Sequence, residues 1–199
     1  MYPDRQKYLE VAKYTLETNI FYHSLALEAC MGGIYDYLQQ ENRLTPSEPP
    51  KEDWLLAGLI HDIDYTAEFK DQHPAKTAEA LAKHNLTVTD SVMQIVKAHG
   101  WRHPGGIEPQ SLAQWAIFCA DSLTGLIIAV ALVYPTKKLS DVKISSVLKR
   151  FLKEPKFAAG TRREEVKLCE LETGLNIKLD KFIEVCLASM QSISQDIGL

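Results

Sequence analysis

The sequence contains no Cys-x-x-Cys pair, which argues against a zinc knuckle or ribbon. Its four cysteines, Cys30, Cys119, Cys169 and Cys186, each lie in an apolar stretch with helical periodicity. Such positions are typical of reduced, buried thiols in a protein of a reducing compartment. We therefore expect free cysteines that pack in the core.

The chain also lacks a broad excess of Lys and Arg. The net charge is −4 and the pI is about 5.9, whereas general nucleic-acid binders usually carry a strongly basic surface. The N-terminus, from Met1 to Lys7, is followed by an amphipathic segment and not by the continuous apolar core of a secretory signal. These features predict a cytoplasmic protein without general nucleic-acid binding.

Residues 109 to 136 have no Lys, Arg or Glu, a composition that membrane spans and buried core helices share. Gln110, Gln114 and Asp121 interrupt this run, and the uninterrupted remainder from Ser122 to Thr136 is too short to cross a bilayer comfortably. We therefore interpret the segment as a buried core helix and expect no membrane insertion.

No convincing strand alternation and no internal repeat is present. The dominant helical periodicity predicts an all-α fold, and 199 residues with 46% hydrophobic composition fit one domain, 1–199. The polar, proline-rich segment 42–50 is interpreted as a loop within that domain. Helices are predicted at 4–19, 21–41, 52–64, 74–84, 89–100, 111–134, 141–153, 162–173 and 179–197.

Two local patterns concern the C-terminal third. Thr161-Arg-Arg-Glu164 has the sequence of a capping box, which predicts a helix start there. In the last helix, apolar residues recur at intervals of three and four, so one face should pack in the core or against a second copy of the chain in a homodimer.

The strongest functional pattern is the pair His61-Asp62, which stands at the polar end of the apolar helix that begins near Trp54. Adjacent helical residues point about 100° apart, but an ion at the helix end can contact both. His23 and Asp121 are the further ligand candidates. Asp121 is the only charged residue between Glu108 and Lys137, and a buried carboxylate needs a proton, a partner or a metal.

Each of these residues has a simpler explanation. His23 alone would more often be a hydrogen-bonded core histidine, His61-Asp62 a hydrogen-bonded pair at a helix end, and Asp121 the partner of an arginine. All three explanations must hold together to dismiss a metal site. Mixed imidazole and carboxylate ligands suit a borderline or hard divalent ion, with Mn²⁺, Fe²⁺, Co²⁺, Ni²⁺, Zn²⁺ and Mg²⁺ all possible.

The order His, His-Asp, Asp resembles the HD superfamily of metal-dependent phosphohydrolases, and His61-Asp-Ile-Asp64 is similar to its His-Asp-Ile-Gly form. This resemblance covers about residues 20–125, the expected metal-binding core of an HD-type helical bundle. Residues 137–199 would form a helical extension. Within it and just before it, 120–125, 137–143 and 157–160 resemble an uncharacterised bacterial and archaeal subfamily of predicted hydrolases.

The resemblance implies that His23, His61, Asp62 and Asp121 bind a metal. His73 and His99 match the two extra histidines of members that hold two metals, and Asp62 would then bridge the ions. Without a second ion, His73 could be an exposed cap before Pro74, and His99 a cation at a helix C-terminus.

Asp64, His99 and His103 are further site candidates. Asp64 could act as a general acid or base, although Asp is also common where a helix meets a loop, and His99 is a further catalytic candidate beside Asp62. His103 lies in a glycine-containing segment after His99 and is a candidate for the substrate-binding rim.

A basic segment follows. Residues 137 to 167 hold ten Lys or Arg against four Asp or Glu, a balance of +6, so the rest of the chain carries −10. These cations could bind a substrate phosphate, since Arg binds phosphate in a fork geometry, or simply be solvated. Lys149 and Arg150 are the first candidates in a set that also includes Lys143, Lys153, Lys156, Arg162 and Arg163.

Taken together, the sequence predicts a hydrolase in which a metal-activated water attacks the phosphate ester of a nucleotide or other small phosphorylated metabolite. Two alternatives remain. Some HD-fold proteins with a similar set of six His and Asp residues hold two irons and activate oxygen. The chain could also be a non-catalytic binding module with a structural metal and a basic surface for an acidic partner.

Overall fold

A computed structural model describes residues 4–199, and within that range the fold is all-α, as predicted, with no β-strand. The α-helices of this range are α1 (Arg5–Thr15), α2 (Thr18–Gln40), α3 (Lys51–Ile60), α4 (Thr77–Ala82), α5 (Asp90–His99), α6 (Leu112–Val133), α7 (Ile144–Lys153), α8 (Arg163–Lys167) and α9 (Leu179–Ser192). Short 3₁₀ turns lie at Lys70–Gln72, Leu139–Asp141 and Leu168–Glu170.

Helix α6 lies at the centre and contacts α2, α3, α5, α7, α8 and α9. It is long and apolar enough to span a membrane, but most of its apolar window is buried inside the protein. Its start is fixed twice: Ser111 and Gln114 form a capping box, and the carboxylate of Glu48 accepts hydrogen bonds from the first amides of the helix. The proline-rich loop thus supplies an anion to the positive end of α6.

Helices α2 and α3 pack closely because Gly58 has no side chain. A Cβ on Gly58 would lie 2.8 Å from the Cα of Glu28 in α2, a distance that no real side chain tolerates. The close approach places the end of α3 directly beside α2. It therefore sets the separation between His61 and His23.

The C-terminal helices pack on the same core. Helix α9 lies against α2 and buries Phe182, Ile183, Cys186, Leu187 and Met190, so its apolar face is a core face. All four cysteines are free and buried, as predicted, and burial raises the pKa of the Cys169 thiol to about 12.

The predicted capping box at Thr161 is wrong. Arg162 occupies the N-cap of α8, and no side chain caps the helix there. The amide of Thr161 instead donates to the carbonyl of Ala158, and the Arg162 guanidinium turns toward Glu165 and Asp121. These ion pairs determine the start of α8 in place of a threonine cap.

Candidate metal centre

His61 and Asp62 lie at the point where α3 ends. The helix stops at Ile60, His61 keeps helical backbone angles as its C-cap, and Asp62 begins the turn that follows. His61 is fully buried, and its Nδ1 lies 2.8 Å from the carbonyl of Gly58. A carbonyl only accepts, so Nδ1 carries the proton and Nε2 presents its lone pair.

His23 from α2 and Asp121 from α6 complete a first group around this helix end. The Nε2 atoms of His23 and His61 are 3.1 Å apart, and Oδ2 of Asp62 lies 3.3 Å from Nε2 of His61 and 3.6 Å from Nε2 of His23. Oδ1 of Asp121 lies 3.0 Å from Nε2 of His23. Four predicted metal ligands therefore face one small space.

His73 and His99 form a second group on the other oxygen of Asp62. Oδ1 of Asp62 lies 3.3 Å from Nε2 of His73 and 3.9 Å from Nε2 of His99. The two Nε2 atoms are 3.2 Å apart. Asp62 thus stands between two pairs of imidazoles and offers one oxygen to each.

His99 and His73 are held in the same tautomer as His61. Nδ1 of His99 donates to the carbonyl of Val96, and Nδ1 of His73 donates to the carboxylate of Asp64 at 2.7 Å. Histidine ligands of metals commonly donate the other ring N–H in this way, which orients the ring and fixes the tautomer.

His23 reaches the same tautomer through a hydroxyl. Its Nδ1 lies 2.8 Å from Oγ1 of Thr124, and that hydroxyl donates to the backbone carbonyl of Asp121 at 2.7 Å. Because the hydroxyl proton is already used, Oγ1 accepts from His23. All four imidazoles therefore direct Nε2 into the centre, and in the neutral ring this nitrogen carries the lone pair.

These distances fit divalent metal ions. Ligand atoms about 2.1 Å from an ion lie about 3.0 to 3.4 Å apart at octahedral or tetrahedral angles, close to the shorter separations seen in both groups. Two Nε2 atoms that face each other at 3.1 Å repel each other unless a proton or a metal cation lies between them. Two groups can hold an ion, His23 with His61 and Asp62, and Asp62 with His73 and His99.

The electrostatics of the centre also favour cations. Burial opposes ionisation of Asp62, but the neighbouring His61 and His23 hold its pKa well below the usual range. The pKa of Asp121 is likewise far below normal, because His23, His61 and Arg162 outweigh the cost of burial. Burial, with a contribution from His61, lowers the pKa of His99 to about 4. Burial lowers the pKa of His23 and His73, but Asp121 beside His23 and Asp64 beside His73 outweigh it and raise both. At neutral pH the centre therefore holds ionised carboxylates and a neutral His99.

Arg162 is the unexpected member of the site. Its Nη2 lies 2.6 Å from Oδ2 of Asp121, while Oδ1 of the same carboxylate faces His23. Its Nε donates to the buried Glu165. Pairing with an arginine was the simpler explanation for Asp121, and it holds for one oxygen only. Asp121 therefore connects the metal ligands to a partly exposed guanidinium.

Asp64 is fully buried, and both of its oxygens are occupied. Oδ1 accepts from His73, and Oδ2 accepts from the amide of Lys76 at 2.9 Å. A side chain so engaged orients His73, which is a different role from the general acid or base considered from the sequence.

The residues predicted to bind substrate make contacts of their own or are exposed. Lys149 pairs with Glu154 at 3.5 Å, and the Arg150 guanidinium lies over the ring of Phe157. His103 is exposed in the turn after α5. Arg162, one of the basic residues predicted as phosphate-binding candidates, is the cation that contacts the predicted ligand Asp121. No periodicity indicates Arg162, because its position depends on how α8 meets α6.

Comparison of the chain with protein-family models, with curated proteins and with solved structures finds no match.

Proposed function

We propose that this chain is a metal-dependent phosphohydrolase of the HD type that acts on a nucleotide or another small phosphorylated metabolite. The observation that carries the proposal is the position of the Asp62 carboxylate, whose two oxygens face two separate pairs of imidazoles. Such an arrangement suits two divalent ions bridged by one carboxylate. The resemblance of the His, His-Asp, Asp order to HD phosphohydrolases supports the same conclusion.

The roles of the residues follow from their positions. His23, His61 and Asp121 would hold one ion, His73 and His99 the other, and Asp62 both. Divalent ions in such sites lower the pKa of water and polarise a phosphoryl oxygen. Thr124 and Asp64 keep the imidazoles oriented, so that the ligands need little rearrangement when ions bind.

Arg162 favours a phosphorylated substrate. Its side chain is 40% exposed and is held against Asp121 and Glu165, so a guanidinium stands fixed at the edge of the metal ligands. Guanidinium groups bind phosphate oxygens with charge-assisted hydrogen bonds. Arg162 belongs to the segment 137–167, whose positive balance attracts anions over a longer range.

A di-iron oxygenase is the second candidate, because four imidazoles and a bridging carboxylate also suit two irons. The two functions give different products. Protein purified in air that contains iron and consumes oxygen with a substrate would favour the oxygenase, whereas release of inorganic phosphate favours the hydrolase.

A screen of phosphorylated metabolites with Mn²⁺, Co²⁺, Ni²⁺, Zn²⁺, Fe²⁺ or Mg²⁺ tests the proposal. We expect phosphate release by the native protein, and loss of both metal binding and turnover in Asp62→Ala. Asp36→Ala is the matched control, since Asp36 pairs with Lys51 on the surface, and it should retain both. Full activity of Asp62→Ala would refute the proposal.

A further inference from the structure

A cleft of about 350 Å³ opens directly beside the metal ligands His23 and Asp121. One wall is α6, where Ser122 and Gly125 face the space. The other wall is the segment 158–161, which leads into α8. The volume is at the lower end of the range for small-molecule sites, which suits a group of metabolite size.

Gly125 is not required by packing. A Cβ built on Gly125 meets no atom within 4 Å, and the residue is exposed within the helix α6. Glycine inside a helix is less stable than alanine because the unfolded chain loses more freedom when it folds. The helix therefore contains a destabilising residue whose only evident effect is to keep the cleft open.

On the opposite wall, a residue with a side chain occupies a backbone conformation that favours glycine. Ala158 has a φ of +45°, a left-handed conformation that favours glycine and that strains a residue with a Cβ. Three of the other four non-glycine residues with positive φ in the described chain are asparagine, which tolerates this conformation better. An unfavourable residue on each wall of one cleft indicates a functional requirement.

Hydrogen bonds hold this second wall against α6 and α7. The amide of Arg162 donates to Oγ of Ser122 at 3.1 Å, which ties the segment to α6. The Arg163 guanidinium donates to the carbonyls of Phe151 and Phe157, at 3.1 and 2.6 Å. These contacts within the protein therefore set the width of the cleft in this structure.

We propose that this cleft binds the organic group of the substrate, and that Gly125 and Gly160 set the size of the group admitted. The inference rests on the proposed function and specifies its substrate class: a phosphate monoester of a small, largely apolar or flat group. The phosphate would lie at the metal ligands and Arg162, and the organic group between Gly125 and the methyl groups of Ala158 and Ala159.

The test compares two probes that are not hydrolysed, inorganic phosphate and phenylphosphonate, by thermal shift of the Mn²⁺-loaded protein. Gly125→Leu and Gly160→Leu each fill the cleft from one wall, since a Cβ at Gly160 also meets nothing within 4 Å. Ser145→Leu adds the same side chain at an exposed position of α7 outside the cleft lining.

In the native protein and in Ser145→Leu, phenylphosphonate should raise Tm at least about twice as much as phosphate does at the same concentration, because the phenyl group adds contacts in the cleft. Both cleft variants should keep the phosphate shift and lose the additional phenylphosphonate shift, with unchanged metal content. Gly125→Ala should itself raise the Tm of the metal-free protein by about 1 to 4 °C.

Two results would overturn the inference alone: a native protein that binds phosphate but gains nothing from the phenyl group, or cleft variants that keep the full phenylphosphonate shift. A native metal-loaded protein that binds neither probe would instead count against the phosphohydrolase itself. The two failures are therefore distinguishable.

Discussion

At the residue scale, the site depends on which nitrogen of each imidazole carries the proton. Four different acceptors hold the four Nδ1 protons: two backbone carbonyls, the hydroxyl of Thr124 and the carboxylate of Asp64. Each leaves Nε2 free toward the centre. The acceptors therefore matter as much to metal binding as the ligands do.

Two substitutions should lower the affinity for each of the two ions separately. Asp64→Asn keeps the shape of the side chain but removes the charge behind His73, and Thr124→Val removes the acceptor behind His23. Loss of such partners typically costs about 10- to 100-fold in metal affinity. We expect Asp64→Asn to weaken metal binding at His73 and His99, and Thr124→Val to weaken metal binding at His23 and His61. Isothermal titration calorimetry, which resolves the two binding steps, measures both affinities.

Each variant serves as the control for the other. If both substitutions weakened the same binding step, or if neither changed any step, Asp62 would not separate two ions.

Residue types and order predicted much of this centre. His61-Asp62 stood out by its place at a helix end, and Asp121 by its isolation in an uncharged run; the structure brings both together with His23, His73 and His99. The roles of Thr124, Asp64 and Arg162 were not predictable in this way. Ser, Thr, Asp and Arg are common in helical surfaces and turns, and only the packing of distant helices shows which of them reaches an imidazole or a carboxylate.

At the scale of the elements, the contact between α2 and α3 sets the site. Gly58 permits the approach of the two backbones, and its carbonyl also accepts the Nδ1 proton of His61. One residue thus serves both the packing and the orientation of a ligand.

Gly58→Ala should separate the two helices. The added methyl group would meet the backbone of Glu28, which cannot move aside as a flexible side chain can. Overpacking of this kind typically costs about 1–3 kcal/mol. We expect a lower free energy of unfolding of the metal-free protein in urea, together with weaker metal binding because His61 moves away from His23.

Ala57→Gly is a useful comparison, because it changes the helix propensity of the adjacent buried position without adding atoms at the contact. If Gly58→Ala left both stability and metal affinity at native values, the close contact would not position the site.

Helix positions were largely predictable, since α2, α5, α6 and α9 follow clear apolar periodicity. Their ends were less so. Helix α3 stops at Ile60 and not at 64, α4 begins at Thr77 and not at 74, and α8 begins without the expected threonine cap. After the end of α3 and at the start of α8, side chains bind groups elsewhere in the fold, as Asp64 does with His73 and Arg162 with Asp121. Local sequence does not show such contacts.

At the scale of the whole molecule, the candidate ligands join elements that are far apart in sequence. They come from α2, the end of α3, the turn before α4, the end of α5, and α6. Ions bound there would crosslink the core, and the unfolded chain would not reproduce the site.

Metal removal should therefore lower the stability of the whole domain. A ligand at a free concentration 100-fold above its dissociation constant stabilises the folded state by about 2.7 kcal/mol, which corresponds to about 5 to 11 °C in Tm for a chain of this size. We expect a rise of this order when Mn²⁺ or Zn²⁺ is added to chelated protein, measured by calorimetry. The rise should vanish in Asp62→Ala, and an equal rise in that variant would place the stabilising ion elsewhere.

The central claim, that Asp62 bridges two cations, is tested most directly by anomalous diffraction from crystals of the Mn²⁺-loaded protein. The account predicts two anomalous peaks per chain, one among His23, His61 and Asp121, the other beside His73 and His99, with Asp62 between them. A single peak, or none, with the side chains arranged as described, would contradict it.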